Sequence, residues 1–157
     1  MNSEIIKIES PQIPTKRFRE MVCKFEDLVR QLPGALIGDN DVHPLKHSFA
    51  DGCYIREVST TPEQLVVSKI HKVAHPFFLL KGEMSILTEN GVKRIKAPYH
   101  GITPAGTKRI LYTHSDILFI TVHVTKETDL VKIEDEIIAK NFEEIDLIIK
   151  GEIPCLG

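Results

Sequence analysis

Two histidines four residues apart, His71 and His75, stand out in residues 66–83, which read VVSKIHKVAHPFFLLKGE. The residues around them are mainly apolar and β-branched, which is typical of β-strands. Neutral imidazoles are frequent metal ligands, so the pair could belong to a metal site. Strand alternation, however, places the cationic Lys69 on the same face as His71. The residue types therefore leave two chemistries open, a metal centre and a pocket for an anion.

Other chemistries lack their motifs in this chain. Neither a phosphate-binding loop nor a dinucleotide-binding glycine pattern occurs, and no serine stands in a nucleophile-elbow context. The three cysteines, Cys23, Cys53 and Cys155, are widely separated and form no C-x-x-C, so we expect them to be reduced and structural. The net charge of −2 and the absence of tryptophan argue against binding to a nucleic acid polymer.

The elements that must position the histidines are short strands. From about residue 45 to 124, turn signals recur roughly every ten residues between β-rich runs, which predicts a sandwich or barrel of about eight strands. Asn90-Gly91 gives the clearest hairpin signal, because a type I′ turn needs positive φ at both central positions. The chain is therefore predicted to be mainly β.

Helices are predicted on both sides of the barrel. An N-terminal helical arm spans about 15–33, and a C-terminal helical segment spans about 126–150. Each carries an apolar stripe, formed by Phe18, Met21, Phe25 and Leu28 in the first and by Leu130, Ile133 and Ile137 in the second. The apolar area of these stripes is larger than the outer wall of a small barrel can cover, so we expect a homodimer or a higher homo-oligomer.

Length and composition indicate one soluble domain, residues 1–157. Hydrophobic residues make up 42% of the chain and charged residues 27%, as in ordinary globular proteins. No apolar run is long enough to span a bilayer, and the first residues lack the pattern of a signal peptide. We therefore expect a cytoplasmic protein without a membrane partner.

Two stretches resemble the sequence motifs of the cupin superfamily. HKVAHPFFLLKGE, from residue 71, resembles the first motif, and PAGTKRILYTHSDILFITVH, from residue 104, resembles the second. The resemblance implies a cupin-like β-barrel, also called a double-stranded β-helix or jelly roll, over about residues 45–124. Longer stretches around both motifs are similar to small cupin-like proteins of phages and prophages. For a phage-encoded protein the location would be the host cytoplasm.

The resemblance also implies which side chains point into the barrel. His71 occupies the second histidine position of the first motif, and His75 occupies its glutamate position. Lys69 and Arg109 stand where the other two histidine ligands would be. Two permanent cations beside two imidazoles favour an anion over a metal ion, so no cofactor is expected. His123, which shares strand parity with Phe119 and Thr121, is a further candidate for the pocket.

Three functional hypotheses follow, and whether any reaction is catalysed stays open. The first is binding of a small anionic ligand such as a nucleotide or phosphorylated metabolite, in its narrowest form by a phage-encoded protein that sequesters a host signalling nucleotide. The second is a metal-dependent enzyme that uses His71, His75 and a third ligand, namely His123, His47 or His100. The third is a structural or assembly protein in which the barrel is a scaffold.

Overall fold

The computed structural model describes residues 4–5, 14–37 and 43–154, and within them it contains three helices and eleven strands. The helices are α1 (Lys16–Arg30), α2 (Leu130–Ile137) and α3 (Phe142–Ile149). The strands are β1 (Leu45–Ala50), β2 (Cys53–Thr60), β3 (Leu65–Val67), β4 (Ile70–His71), β5 (His75–Lys81), β6 (Glu83–Thr88), β7 (Gly91–Lys96), β8 (Tyr99–Thr103), β9 (Ile110–Thr113), β10 (Ile117–Val124) and β11 (Ile138–Ala139).

Two antiparallel sheets form the body of the molecule. One has the strand order β1-β2-β10-β5-β8 and the other the order β3-β9-β6-β7, while β4 and β11 form a separate short pair. The chain crosses repeatedly between the two sheets, so β5, β8 and β10 lie in one sheet and β6 and β9 in the other. This is the arrangement of a jelly roll. The predicted mainly β, jelly-roll fold is confirmed.

The main core lies between the sheets and follows from the alternation of apolar residues. In β5 the odd-numbered residues His75, Phe77 and Leu79 are buried, whereas the even-numbered ones are exposed. Phe77 and Leu79 pack with Met84 and Ile86 of β6. The same period therefore buries the apolar side chains and directs His75 toward the interior.

The hairpin between β6 and β7 is confirmed, but its predicted turn type is wrong. Thr88 pairs with Gly91, so Glu89 and Asn90 are the central residues of the turn. Gly91 has φ of 107°, whereas Asn90 does not have a positive φ. A type I′ turn would need positive φ at both central residues. The glycine therefore follows the turn instead of forming its second central position.

Helix α1 begins after Thr15, whose side chain accepts a hydrogen bond from the backbone N–H of Phe18. Its contacts with the rest of the protein include two ion pairs. Arg19 Nη1 lies 2.9 Å from Asp146 Oδ1 of α3, and Lys108 Nζ lies 2.9 Å from Glu26 Oε2. Of the apolar stripe predicted for this helix, Met21 and Leu28 are exposed. The predicted oligomer through these helices stays a prediction.

The C-terminal segment contains two helices with a short strand between them. Asp129 caps α2 by accepting hydrogen bonds from the backbone N–H groups of Val131 and Lys132. Ile133 and Ile137 of α2 pack against Tyr54 of β2, which holds the helix against the barrel. Strand β11 then pairs with β4, the strand that carries His71. In the part of the chain that the structure describes, no helix is long and apolar enough to cross a membrane.

Candidate functional site

His71 and His75 converge because the chain bends between them. β4 ends at His71 and β5 starts at His75, and the two imidazole centroids lie 4.3 Å apart. Backbone hydrogen bonds fix His71, since its carbonyl accepts from the N–H of Gly106 at 2.7 Å. His75 is fixed by its pairing with Thr103 in β8. The two histidines singled out by spacing are thus neighbours in space.

His123 completes a cluster of three buried histidines. Its imidazole centroid lies 4.4 Å from that of His75 and 5.7 Å from that of His71. Each ring offers a nitrogen that lies within 4.8 Å of the nitrogens offered by the other two. All three side chains are buried, with relative exposures of 9%, 3% and 4% for His71, His75 and His123. The group has the residue types and the proximity of a three-histidine metal site.

The hydrogen bonds around the cluster leave a nitrogen lone pair available on His75 and on His71. His75 Nδ1 donates to the carbonyl oxygen of Val73 at 3.2 Å, which leaves its Nε2 as an acceptor. His123 Nε2 is hydrogen-bonded to Thr121 Oγ1 at 3.0 Å. His71 Nδ1 is buried and has no hydrogen-bond partner among the described residues. A buried polar atom without a partner destabilises the fold by about 1–3 kcal/mol, which points to a ligand at this position.

Burial keeps the three imidazoles neutral. It lowers the pKa of His71 well below its usual range, and the nearby His75 and His123 lower it further. Burial is also the main cause that lowers the pKa of His75 to about 4 and the pKa of His123 to about 3. At neutral pH the cluster is therefore a set of uncharged nitrogen donors, the form in which histidine binds metals.

Two arginines flank the cluster. Arg56 of β2 pairs in register with Thr121 of β10, and its charge contributes to the lowered pKa values of His71 and His123. Arg109 acts in the same way on His71 and His75. Its guanidinium lies over the ring of Phe77, with Cζ 5.2 Å from the ring centroid. Among residues 4–5, 14–37 and 43–154, neither arginine forms an ion pair with a carboxylate.

A cleft of about 90 Å³ opens beside the cluster. Its polar lining is formed by His47, Tyr54, Arg56, Lys69, His71, His123 and Glu134. Neither Arg109 nor His75 lines it, so His71 and His123 are the two members of the cluster that reach the cleft. Lys69, predicted to bind the ligand, lines the cleft with a half-exposed side chain and forms an ion pair with Glu134 of α2. Arg56 is thus the arginine that a molecule in the cleft would meet.

The sequence alone did not single out Arg56. Strand alternation could have predicted that Tyr54 and Arg56 share one face of β2. The pairing of β2 with β10 could not be predicted from the sequence, because the two strands are more than fifty residues apart in the chain. Tyr54 stacks on His123 with ring centroids 5.9 Å apart, and this contact joins the face of β2 to the histidine cluster.

The three candidates for a third metal ligand lie at different distances from the pair of His71 and His75 in the structure. His123 lies in the cluster, whereas His47 lines the cleft and has its Nδ1 2.7 Å from the hydroxyl oxygen of Tyr54. His100 is exposed on the opposite face of the sheet, beside Phe78. The described residues thus bring together His71, His75 and His123, with Lys69 at the cleft and Arg109 behind it.

Comparisons with known proteins give similarity in fold. No family model matches the chain, and no curated protein matches it. Similar solved structures include a cupin superfamily protein from Desulfitobacterium hafniense, with 12% identity, 59% of this chain and 88% of that chain covered, and a TM-score of 0.47. An RmlC-like cupin family protein with a double-stranded β-helix fold from Methanocaldococcus jannaschii has 12% identity, coverages of 58% and 87%, and a TM-score of 0.46.

A third similar structure is a cupin-2 domain containing protein from Shewanella frigidimarina. It has 12% identity, covers 64% of this chain and 92% of that chain, and has a TM-score of 0.44. Similarity at this level assigns no function to the present chain.

Proposed function

We propose that this cupin-fold protein binds a small anionic molecule at a divalent metal ion held by His71, His75 and His123. One observation carries the proposal: the buried Nδ1 of His71 has no partner within a cluster of three neutral imidazoles. The sequence favoured a metal-free pocket because Lys69 and Arg109 replace two motif histidines. The arrangement of the side chains supports the alternative, in which His123 supplies the third ligand.

The donor set fits a first-row transition metal. Imidazole nitrogens suit Zn²⁺, Fe²⁺, Co²⁺, Ni²⁺ and Cu²⁺, and three protein ligands leave room for a further ligand. His75 donates its Nδ1–H to a backbone carbonyl, which is the contact that orients metal-binding histidines in many proteins. A bound ion would act as a Lewis acid toward an oxygen atom of the small molecule.

The arginines account for the anionic part of the proposal. A guanidinium beside a divalent cation is repelled by it, and at a few Å this repulsion is substantial even with an effective dielectric constant of about 20. An anion bound next to the ion offsets the repulsion and provides Arg56 with an oxygen acceptor. Arg56 therefore recognises the anion in the cleft, while Arg109 adds to the positive potential from behind the cluster.

Two narrower forms of the function belong to this proposal. The first is that the anion is a nucleotide or a phosphorylated metabolite, in a phage-encoded protein that sequesters a host signalling nucleotide. The second is that the protein is a metal-dependent enzyme, which is supported by three histidine ligands that leave a position open for a substrate, as in catalytic zinc sites. Titration with nucleotides tests the nucleotide form. The enzyme form can be tested only after metal binding has been demonstrated.

Metal binding is tested by titrating the chelator-treated protein with Co²⁺ and Zn²⁺ and counting bound metal by plasma mass spectrometry. We expect about one equivalent in the wild type and a loss of binding in His75→Gln and His123→Gln. His100→Gln is the matched control, because His100 is an exposed histidine outside the cluster. If the wild type binds no metal but still binds anions, the metal-free pocket is the correct reading. If it binds neither, the barrel is a scaffold.

A further inference from the structure

Part of the wall of the cleft is apolar. Besides its polar lining, the cleft is bounded by Leu45, Leu130, Ile133, Ile137 and Ile138. Ile133 and Ile137 belong to α2 and are buried against Tyr54, so this wall is held in place by packing. An oxyanion alone, such as inorganic phosphate, would leave this apolar surface without a contact.

The volume of the cleft limits the part of a ligand that it can enclose. An apolar cavity of about 150 Å³ in another protein holds a benzene molecule, which has six heavy atoms. The present cleft of about 90 Å³ is smaller, so it takes up at most a molecule of about that size. A nucleotide is several times larger, and most of it would remain outside.

Charge is distributed unevenly along the cleft. The inner end has Arg56 and the buried His71 and His123. At the outer end, the side chains of Lys69 and Glu134 are each about half exposed, at 50% and 55%, and pair with each other. Because Glu134 already neutralises Lys69, the outer end offers no free positive charge to a second anionic group. A ligand that fits is anionic at its inner end and uncharged at its outer end.

From these three features we infer that the ligand is a short-chain monocarboxylate, with its carboxylate toward Arg56 and the histidines and its apolar body against α2. The inference rests on the proposed function. It restricts the ligand from any small oxyanion to the monocarboxylates. Of the two narrower forms of the proposed function, it opposes the nucleotide form, because the size of the cleft and its apolar wall both disfavour a nucleotide.

The test is calorimetric titration of the Co²⁺-loaded protein with acetate, butyrate, octanoate, inorganic phosphate and AMP. Affinity should rise from acetate to butyrate and gain little further at octanoate, whose remaining carbons lie outside the cleft. Phosphate and AMP should bind more weakly than butyrate. Tighter binding of phosphate or AMP, or no binding of any carboxylate, would overturn the inference.

Two variants with matched controls locate the ligand. Arg56→Met should weaken butyrate binding by about tenfold or more while Co²⁺ is still bound, and Arg94→Met, at an exposed arginine of β7, should have no effect. Leu130→Ala should reduce the gain from acetate to butyrate, whereas Leu28→Ala, at an exposed leucine of α1, should not. Butyrate binding that is unchanged in Arg56→Met contradicts the inferred orientation.

The outcomes separate this inference from the proposed function. If the wild type binds Co²⁺ but no carboxylate, the ligand class is wrong and the metal site stands. If it binds no Co²⁺, yet binds butyrate in an Arg56-dependent way in the presence of a chelator, the metal site is wrong and the ligand class stands.

Discussion

The imidazole rings of His71 and His75 lie 4.3 Å apart between their centroids, although the two residues are four positions apart in the chain. In a continuous strand, residues four apart are separated by about 13 Å. The bend at residues 72–74, between β4 and β5, removes most of that separation. In a straight strand the same two histidines would lie far apart on one face. Because of the bend, they lie side by side.

The first prediction is that the protein folds without metal but is stabilised by it. The core between the sheets is formed by apolar residues such as Phe77, Leu79 and Met84, so the chelated protein should show a cooperative thermal transition. A ligand at 100 times its dissociation constant stabilises the folded state by about 2.7 kcal/mol, which corresponds to a rise of several degrees in the midpoint. Differential scanning calorimetry should show this rise in the wild type and not in His123→Gln. An equal rise in both would place the metal elsewhere.

The second prediction concerns the stability of the metal-free protein in acid. The pKa of His75 is lowered to about 4 and the pKa of His123 to about 3, compared with about 6.5 in an unfolded chain. Between pH 6.5 and 4 the unfolded chain thus binds protons that the folded protein does not. The free energy of unfolding therefore falls as the pH falls, by about 1.4 kcal/mol per pH unit for each such histidine.

Urea unfolding in the presence of a chelator, measured between pH 7 and 4.5, checks this dependence. His75→Gln should lose stability less steeply than the wild type, by about 1.4 kcal/mol per pH unit in the lower half of the range. His100→Gln, which changes an exposed histidine, should keep the wild-type slope. Identical slopes in all three proteins would mean that the cluster is accessible to protons in the folded state.

The fold and part of the site could be predicted from the sequence because both depend on local patterns. Alternation and turn signals predicted a sandwich or barrel, the resemblance to cupin motifs implied the jelly roll, and the spacing of His71 and His75 identified two members of the cluster. The third metal ligand could not be chosen, since no spacing in the sequence distinguishes His123 from His47 and His100. Only the placement of β10 beside β5 brings His123 to His75, and that pairing joins residues about forty positions apart.

The third prediction uses the ion pair of Lys69 and Glu134 at the outer end of the cleft. Glu134→Gln leaves Lys69 uncompensated, so glutarate, which carries a second carboxylate, should gain affinity relative to butyrate. Lys69→Met should lower the affinity for glutarate relative to the affinity for butyrate. Both side chains are about half exposed, so each change should alter stability by less than about 1 kcal/mol. Titration of both acids into the two variants measures the ratio, and a ratio unchanged by either substitution would place the ligand away from this pair.

The fourth prediction concerns the docking of α1. Lys108 is buried, with only 8% of its side chain exposed, and Glu26 of α1 is its ion-pair partner at 2.9 Å. Glu26→Gln leaves a buried charge without a partner, which should destabilise the protein by about 3 kcal/mol. The double variant Glu26→Gln with Lys108→Met should recover part of that loss, because the buried charge is gone. Chemical denaturation of the wild type, both single variants and the double variant tests the coupling, and additive losses would show that the pair does not interact.

The last prediction separates the roles of the two arginines. Arg109 does not line the cleft, and its guanidinium lies on Phe77, yet its charge lowers the pKa of both His71 and His75. When no anion is bound, the positive charge of Arg109 weakens the binding of a metal cation at the histidine cluster. Arg109→Met should therefore bind Co²⁺ several-fold more tightly than the wild type, whereas Arg109→Lys, which keeps the charge, should resemble the wild type.

Butyrate titration completes the comparison between the arginines. Arg109→Met should weaken butyrate binding less than Arg56→Met does, because only Arg56 lines the cleft and can donate hydrogen bonds directly to the carboxylate. Near-ultraviolet circular dichroism checks that Phe77 and its neighbours stay packed in both variants. If Arg109→Met abolishes butyrate binding while Arg56→Met leaves it intact, the anion binds inside the barrel on the Phe77 side, and the cleft beside α2 is not its site.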